Sequence, residues 1–397
     1  MIKISQRSGA IAPSMTLAIS ARANELKASG EKIINFGVGE PDFATPAHIV
    51  QAAKDALDKG YTKYVAASGL PALKNAIVKK LKTENNLDYA PSNIIVSNGA
   101  KHSIYNALFA TIDEGDEVLI PKPYWLTYPE IVKSCGGVPV FVMATYRHGY
   151  KVTASQIENM ITPKTKVLIF NSPCNPTGAV YTEEEILKIA DVCRRYNLTV
   201  ISDEIYEKLI YGGETHFSIA SVLKEQTIVI NGVSKSYAMT GWRLGYLAAP
   251  EHVAKAIASF QSHSTSNVNT VTQYAAIAAL TGDGQPMRDM IAAFGKRRQF
   301  MLDKLETMKE YGFDYIRPDG AFYVMLLCDN LYGKTYAGRR IRGSAGFAEL
   351  LLENKKVAAT PGVVFGDDDF IRLSYALGEK DIEEGLSRII EFAKETE

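Results

Sequence analysis

The chain has 397 residues, 46% of them hydrophobic, and carries 44 Lys+Arg against 44 Asp+Glu, so its net charge is zero. That length predicts about two domains, and the absence of a basic excess argues against a nucleic-acid or anionic-membrane binder. No apolar run approaches the roughly 20 residues that span a bilayer. Residues 1–7 lack the apolar core of a signal peptide. Cys135, Cys174, Cys193 and Cys328 have neither metal-ligand nor redox spacing, so free thiols and a cytoplasmic location are expected. The six histidines form no HExxH pattern, and no metal is expected.

From about residue 94 to 250, short apolar runs alternate with amphipathic stretches. Strands are predicted at 94–97, 117–120, 138–142, 166–170, 198–202, 228–230 and 245–248. The clearest helix covers 182–197 and opens with a capping pattern, Thr182-Glu183-Glu184-Glu185. Such alternation predicts an α/β fold with a mostly parallel sheet flanked by helices, in which ligands bind beyond the carboxyl ends of the strands. After about residue 280 the texture changes. A helix is predicted over 286–310, then strands at 313–316 and 321–325 joined through Pro318-Asp319-Gly320. Helix 344–354, strands 357–360 and 370–375, and helix 380–395 complete a smaller α+β unit. The expected division is a large domain over 46–279 and a small domain formed by 1–45 and 280–397, with an N-terminal arm.

The polar motifs cluster at the predicted strand ends. Lys235 lies just past the apolar run Thr227–Ile230, beside Ser234 and ahead of Arg243. A lysine there can form a Schiff base with an aldehyde cofactor whose phosphate the hydroxyl and guanidinium hold; taken alone, a lysine after a strand is ordinarily a solvated surface residue. Gly99, Ala100 and Lys101 join a strand to a helix, and a glycine turn at a helix N-terminus suits phosphate, though it also serves as a plain connection. Asn175 stands in Asn171-Ser172-Pro173-Cys174-Asn175-Pro176-Thr177-Gly178, where two X-Pro bonds fix a rigid turn that admits a cis bond. Its side chain can donate to a phenolate oxygen, or the motif is a turn and nothing more. Asp203 ends the next strand and can pair with a protonated ring nitrogen, with Tyr206 in reach of the same ring's phenolic oxygen; a helix-capping Asp is the alternative. Trp125 can stack on a planar cofactor or fill a core. Arg372, inside the apolar run 370–375, requires an anion, either a ligand carboxylate held bidentately or a structural partner.

Taken in order, Gly37-Val38-Gly39-Glu40-Pro41-Asp42-Phe43, Tyr61-Thr62-Lys63-Tyr64, Asn175-Pro176-Thr177-Gly178, Asp203-Glu204-Ile205-Tyr206, Ser234-Lys235 and Arg372-Leu373-Ser374 resemble class I, fold-type I pyridoxal-phosphate aminotransferases. The nearest branch is the bacterial aspartate aminotransferase group, and the resemblance runs from Pro13-Ser14-Met15-Thr16 to the last helix. It implies pyridoxal 5'-phosphate as cofactor, carried by Lys235, which also moves the substrate Cα proton. Asp203 is implied as partner of the pyridine nitrogen, Asn175 and Tyr206 of the phenolic oxygen, and Trp125 as the stacking ring. Gly99, Ala100, Lys101, Ser234 and Arg243 are implied around the phosphate, joined by Tyr64 from a partner subunit of a homodimer. Arg372, Asn175, Trp125 and the Gly39 backbone are implied around the substrate α-carboxylate.

Four departures bear on this resemblance. Cys174 stands where Asn is frequent, and Gly232 removes one hydroxyl donor to phosphate. The stretch Gln261-Ser262-His263-Ser264-Thr265-Ser266 has no arginine for a substrate's second carboxylate; Thr16 and Lys101 stand at the positions the closest branch uses for it. Ala12 occupies the place of a lysine in relatives that accept prephenate. The expected reaction is transfer of the amino group of aspartate to 2-oxoglutarate, ping-pong. An aromatic or neutral amino-acid aminotransferase and a pyridoxal-phosphate C–S lyase are the alternatives; a non-catalytic regulator has no basic helix-turn-helix segment to support it.

Overall fold

The computed structural model describes residues 2–12, 15–213 and 215–397; Pro13 and Ser14 of the N-terminal motif lie outside them. Seven strands form the main sheet: β1 Ile94–Ser97, β2 Glu117–Lys122, β3 Val138–Met143, β4 Thr165–Asn171, β5 Thr199–Asp203, β6 Thr227–Gly232 and β7 Gly245–Ala248. Their order is β1-β7-β6-β5-β4-β2-β3. Strands β2 to β6 pair in parallel, and β7 runs antiparallel between β1 and β6.

The period of two along these strands feeds a core on each face. Val167, Ile169 and Ile201 pack with Ile104 and Leu108 of helix Ala100–Thr111 and Ile257 of helix Glu251–Ser264. Leu168, Phe170 and Val200 pack instead with Ile186 and Ile189 of helix Glu183–Arg195. Each such fully buried apolar side chain contributes about 1.5–3 kcal/mol relative to exposure. Thr182 caps helix Glu183–Arg195 in a reciprocal box with Glu185, as its sequence predicts.

A second, antiparallel sheet contains β8 Asp314–Ile316, β9 Tyr323–Leu327, β10 Thr360–Pro361 and β11 Phe370–Ser374, ordered β10-β11-β9-β8. Ile371 and Leu373 of β11 point into a core with Phe294 and Leu305 of helix Gln285–Met308 and Ile389 of helix Glu379–Lys394. Alternation turns the intervening Arg372 away from that core, between Met325 of β9 and Thr360 of β10. The run 357–360, read from sequence as one strand, is split. Val357–Ala358 pairs with Ile34–Asn35, whereas Thr360–Pro361 joins β11. Among the described residues the four cysteines form no disulfide, and no helix is long and apolar enough to cross a membrane.

Candidate active site

Parallel packing brings the carboxyl ends of β4, β5 and β6 side by side, with Asn171 opposite Asp203. A cavity of about 570 Å³ opens there. It collects most of the residues singled out from sequence: Gly39, Ala100, Lys101, Trp125, Asn175, Asp203, Tyr206, Ser234, Lys235, Arg243 and Arg372 all line it. Gly99 stands directly behind it as the cap of helix Ala100–Thr111. Tyr64 does not contribute to this chain's own cavity and is 89% exposed. Thr16 belongs to helix Met15–Ala28, but its side chain is outside those described.

The cavity floor is the Asp203 carboxylate. Tyr128 donates its hydroxyl proton to Oδ2 at 2.7 Å, and the Ile205 N–H donates to Oδ1 at 3.2 Å. Burial pushes the acid up to about 6, against the opposing pull of those two donors. Each oxygen keeps a lone pair for a cationic N–H in the cavity. The turn that delivers Asn175 has cis bonds at Ser172–Pro173 and Asn175–Pro176, and the Asn171 side chain ties it down. Asn171 Oδ1 accepts from the Asn175 N–H at 3.0 Å while its Nδ2 donates to the Asp203 carbonyl at 2.9 Å.

Lys235 follows β6 by three residues and donates to the Gly39 carbonyl at 2.6 Å. Burial lowers its pKa to about 8; Arg372 and Arg243 push the same way, and Glu40 opposes them. About a tenth of the amine is therefore neutral and nucleophilic at pH ~7. The Lys101 ammonium lies 4.9 Å from the Trp125 ring centre, and burial followed by Arg243 lowers its pKa as well. Trp125 meets Tyr128 edge-on at 5.4 Å.

At the other end is an anion cradle. The first N–H groups of helix Ala100–Thr111 have no intrahelical acceptor by virtue of their position. Gly99 has φ +89, and a Cβ there would come within 2.6 Å of Arg243 Nη2; a Cβ on Gly245 would come within 2.3 Å of the Ala100 nitrogen. Two glycines thus permit the close approach of helix start and guanidinium. Ser234 is buried beside them.

Arg372 is 3% exposed. Its Nη1 donates to Asn175 Oδ1 at 2.8 Å, and Nη2 donates to the Gly37 carbonyl at 3.1 Å and to Thr360 Oγ1 at 3.3 Å. Among the described residues Nε has no partner, and the guanidinium stacks over Tyr323 at 4.2 Å. Every acceptor is neutral, so among the described residues this buried cation has no carboxylate in contact. It is set for an anionic ligand.

Sequence reasoning missed Tyr128, Asn171, Thr360 and Tyr323, whose hydroxyl shares a 2.9 Å hydrogen bond with that of Tyr206. Asn171 lies inside the quoted turn and Tyr128 one helical turn beyond Trp125, so both were within reach of the pattern. The donor set as a whole fits a flat ring with a cationic nitrogen at Asp203, an aldehyde carbon at Lys235 and a phosphate at Gly99, Ser234 and Arg243.

Residues 31–389 match the family described as aminotransferase class I and II. The aspartate aminotransferase of Geobacillus stearothermophilus is 48% identical over 394 residues, covering 98% of this chain and 99% of that protein. Among solved structures, the Rhizobium meliloti aspartate aminotransferase superposes with a TM-score of 0.95 at 39% identity over 100% of both chains. An aspartate aminotransferase from Thermus thermophilus, with maleate, gives a TM-score of 0.92 at 38% identity over 99% of this chain and 100% of that one. A family match across most of the length and relatives this similar agree with the lysine, aspartate and arginine gathered in one cavity: the chain belongs to the class I and II aminotransferases.

Proposed function

We propose that this protein transfers the amino group of aspartate to 2-oxoglutarate, giving oxaloacetate and glutamate, with pyridoxal 5'-phosphate as cofactor. The observation that carries the reading is the buried Arg372, with no carboxylate in contact among the described residues, lining the same cavity as Lys235 and Asp203. The cofactor supplies an electron-withdrawing pyridinium ring; the rest is work for the chain. Asp203 keeps the ring nitrogen protonated, and Asn175 and Tyr206 donate toward the ring's oxygen. Arg372 and Asn175 orient the substrate α-carboxylate so that Cα faces the Lys235 amine, whose Nζ takes and holds the Cα proton. Lys101 and Thr16 are assigned to the second carboxylate. The maleate in the Thermus thermophilus structure is a dicarboxylate, which agrees with a two-carboxylate substrate for that enzyme.

The reading includes the large domain over 46–279, the small domain of 1–45 and 280–397, a cytoplasmic location and a homodimer with shared sites. The assay is direct. Purified protein with aspartate and 2-oxoglutarate should form glutamate and oxaloacetate, with kcat/KM for aspartate above that for phenylalanine and alanine, and Lys101→Ser should erode that preference. Phenylalanine as the best donor would replace the acidic reading with the aromatic one; no glutamate from aspartate, together with a thiol, pyruvate and ammonia released from an S-alkyl cysteine and water, would replace transamination with lyase chemistry.

Two further outcomes are expected. Ala12 supplies no cation and uses its N–H on Glu130 Oε2 at 3.0 Å, so prephenate should have a much lower kcat/KM than aspartate; comparable values would show that this position does not decide. Mixing Lys235→Ala with Tyr64→Phe subunits should yield hybrids with one intact site, because the exposed Tyr64 serves the partner. Fully active dilute monomers would refute the shared site.

A further inference from the structure

Behind the cavity lies a second buried group of ionisable side chains that the chemistry above leaves unused. The turn after β5 alternates: Asp203 and Tyr206 line the cavity, while Glu204 and Glu207 are buried outside it. Glu204 Oε1 accepts from Ser202 Oγ at 2.9 Å and Ser218 Oγ at 2.6 Å, and Oε2 meets His216 Nε2 at 2.9 Å. Glu207 is paired with Lys80 of helix Pro71–Asn85 and accepts from Asn85 Nδ2 at 2.6 Å. Main-chain bonds tie this turn to the strand that leads to Lys235: the Glu204 N–H donates to the Ile230 carbonyl at 2.9 Å.

Among the described residues, three ionisable groups face His216, namely Glu204, Glu207 and Lys80. Nearby Lys208 and Glu84 neutralise each other at 2.6 Å, and Tyr89 and Tyr246 are held neutral by burial. Two carboxylates against one ammonium leave an excess negative charge, and a protonated His216 cancels it. Every carboxylate oxygen of the group already has a donor, so the cluster is complete without a metal ion, although Glu204, Glu207 and His216 present atoms within 4.8 Å of one another. Glu204 is the hydrogen-bonded partner of the imidazole; Nδ1 has none among the described residues.

We propose that His216 is a positioning residue for transamination: as the counter-ion of Glu204 it balances the buried cluster that fixes the turn bearing Asp203 and Tyr206. Burial disfavours the charged imidazole, but Glu204 and Glu207 outweigh burial and raise its pKa. The stabilisation is thus complete below the ordinary histidine range and is lost as pH rises through the higher value in the fold. The inference rests on the aminotransferase reading, and wild-type turnover tests that reading separately.

The test uses the holoenzyme. His216→Phe keeps a ring and removes the cation. Its kcat with aspartate and 2-oxoglutarate is expected to fall about tenfold or more, since small displacements of groups on the cofactor are costly. KM for aspartate should stay within about twofold, because Arg372 stands on a different strand. The pH midpoint of the cofactor's visible absorbance should move by about half a unit or more, because Asp203 and Tyr206 ride on the turn. In His216→Phe/Glu204→Gln the charge is balanced again and the glutamine oxygen still accepts from Ser202 and Ser218; kcat should return to within about threefold of wild type. An unchanged kcat and midpoint in the single variant would overturn the proposal, and so would a double variant no better than the single. Should the single variant fail to fold, or the wild type show no turnover, ring-carbon NMR of His216 in the wild-type holoenzyme decides. A midpoint above that of free histidine supports the pairing, and one at or below it overturns it.

Discussion

Replacing Lys235 by alanine is expected to lower kcat by about 10⁴-fold or more, the combined loss of a nucleophile and a general base. No other amine can take its place. Lys101, the other lysine lining the cavity, is held 4.9 Å from the Trp125 ring centre, whereas Lys235 donates to the Gly39 carbonyl. Cofactor binding should survive, because Gly99, Ser234 and Arg243 are untouched; the phosphate end alone should keep affinity within about tenfold. The lowered pKa of Lys235, about 8, also sets the pH dependence of reconstitution. Only the neutral amine attacks an aldehyde, so the rate at which cofactor-stripped wild-type protein regains its visible absorbance should fall about tenfold per pH unit below 8 and level off above it. Stopped-flow reconstitution between pH 6 and 9 measures this. A rate independent of pH, or wild-type turnover in Lys235→Ala, would remove Lys235 from the chemistry.

The main sheet was legible because most of its strands, the edge strand Val138–Met143 excepted, are buried on both faces. Runs such as Ile94–Val96 and Val167–Phe170 are apolar without interruption and end where polar motifs begin. Helix Glu183–Arg195 was legible because a polar face and the Thr182 cap mark it. Helix Thr270–Thr281 was not singled out. It packs against two other helices, Ala47–Asp58 and Pro71–Asn85, and shows little contrast between its faces. The segment 357–360 was misread as one strand because local pattern does not say which partner a strand edge meets. Ala358 finds Asn35, whereas Thr360 finds Arg372.

The site shows the same division. Lys235, Asp203 and Arg372 stand out because a charged residue at or inside an apolar run demands a reason. Tyr128, Tyr323 and Thr360 are ordinary in their local settings. Their roles arise from what the fold places beside them: Asp203 for the first, Tyr206 for the second and Arg372 for the third. Glu204 is a mixed case. Its position next to Asp203 is visible in the sequence, but its hydrogen bonds to His216 and Ser218 cross a loop that no pattern predicts.

Asp203→Asn separates what the carboxylate does for chemistry from what it does to the fold. Turnover should fall about 10³-fold or more, since a neutral amide cannot hold the ring nitrogen protonated. Stability of the cofactor-stripped protein should change in the opposite sense. Burial raises the Asp203 pKa from its ordinary value of 3.8 to about 6, so between those pH values the folded state binds more protons than the unfolded one. Stability from this group therefore declines as pH rises through that window, and above pH 6 the buried charge costs about 3 kcal/mol. Asparagine has no such charge and can keep both contacts: its oxygen accepts from the Ile205 N–H, and its amide donates to the Tyr128 oxygen once that hydroxyl reorients. The stripped variant should accordingly melt a few degrees above stripped wild type at pH 8, with the gap closing toward pH 4. Saturating cofactor should reverse the order, because the ring cation stabilises the carboxylate but not the amide. Thermal melts of both proteins with and without cofactor, from pH 4 to 8, provide the check. A variant that melts below wild type at pH 8 in the stripped state would show that the Asp203 charge is already compensated by the protein alone.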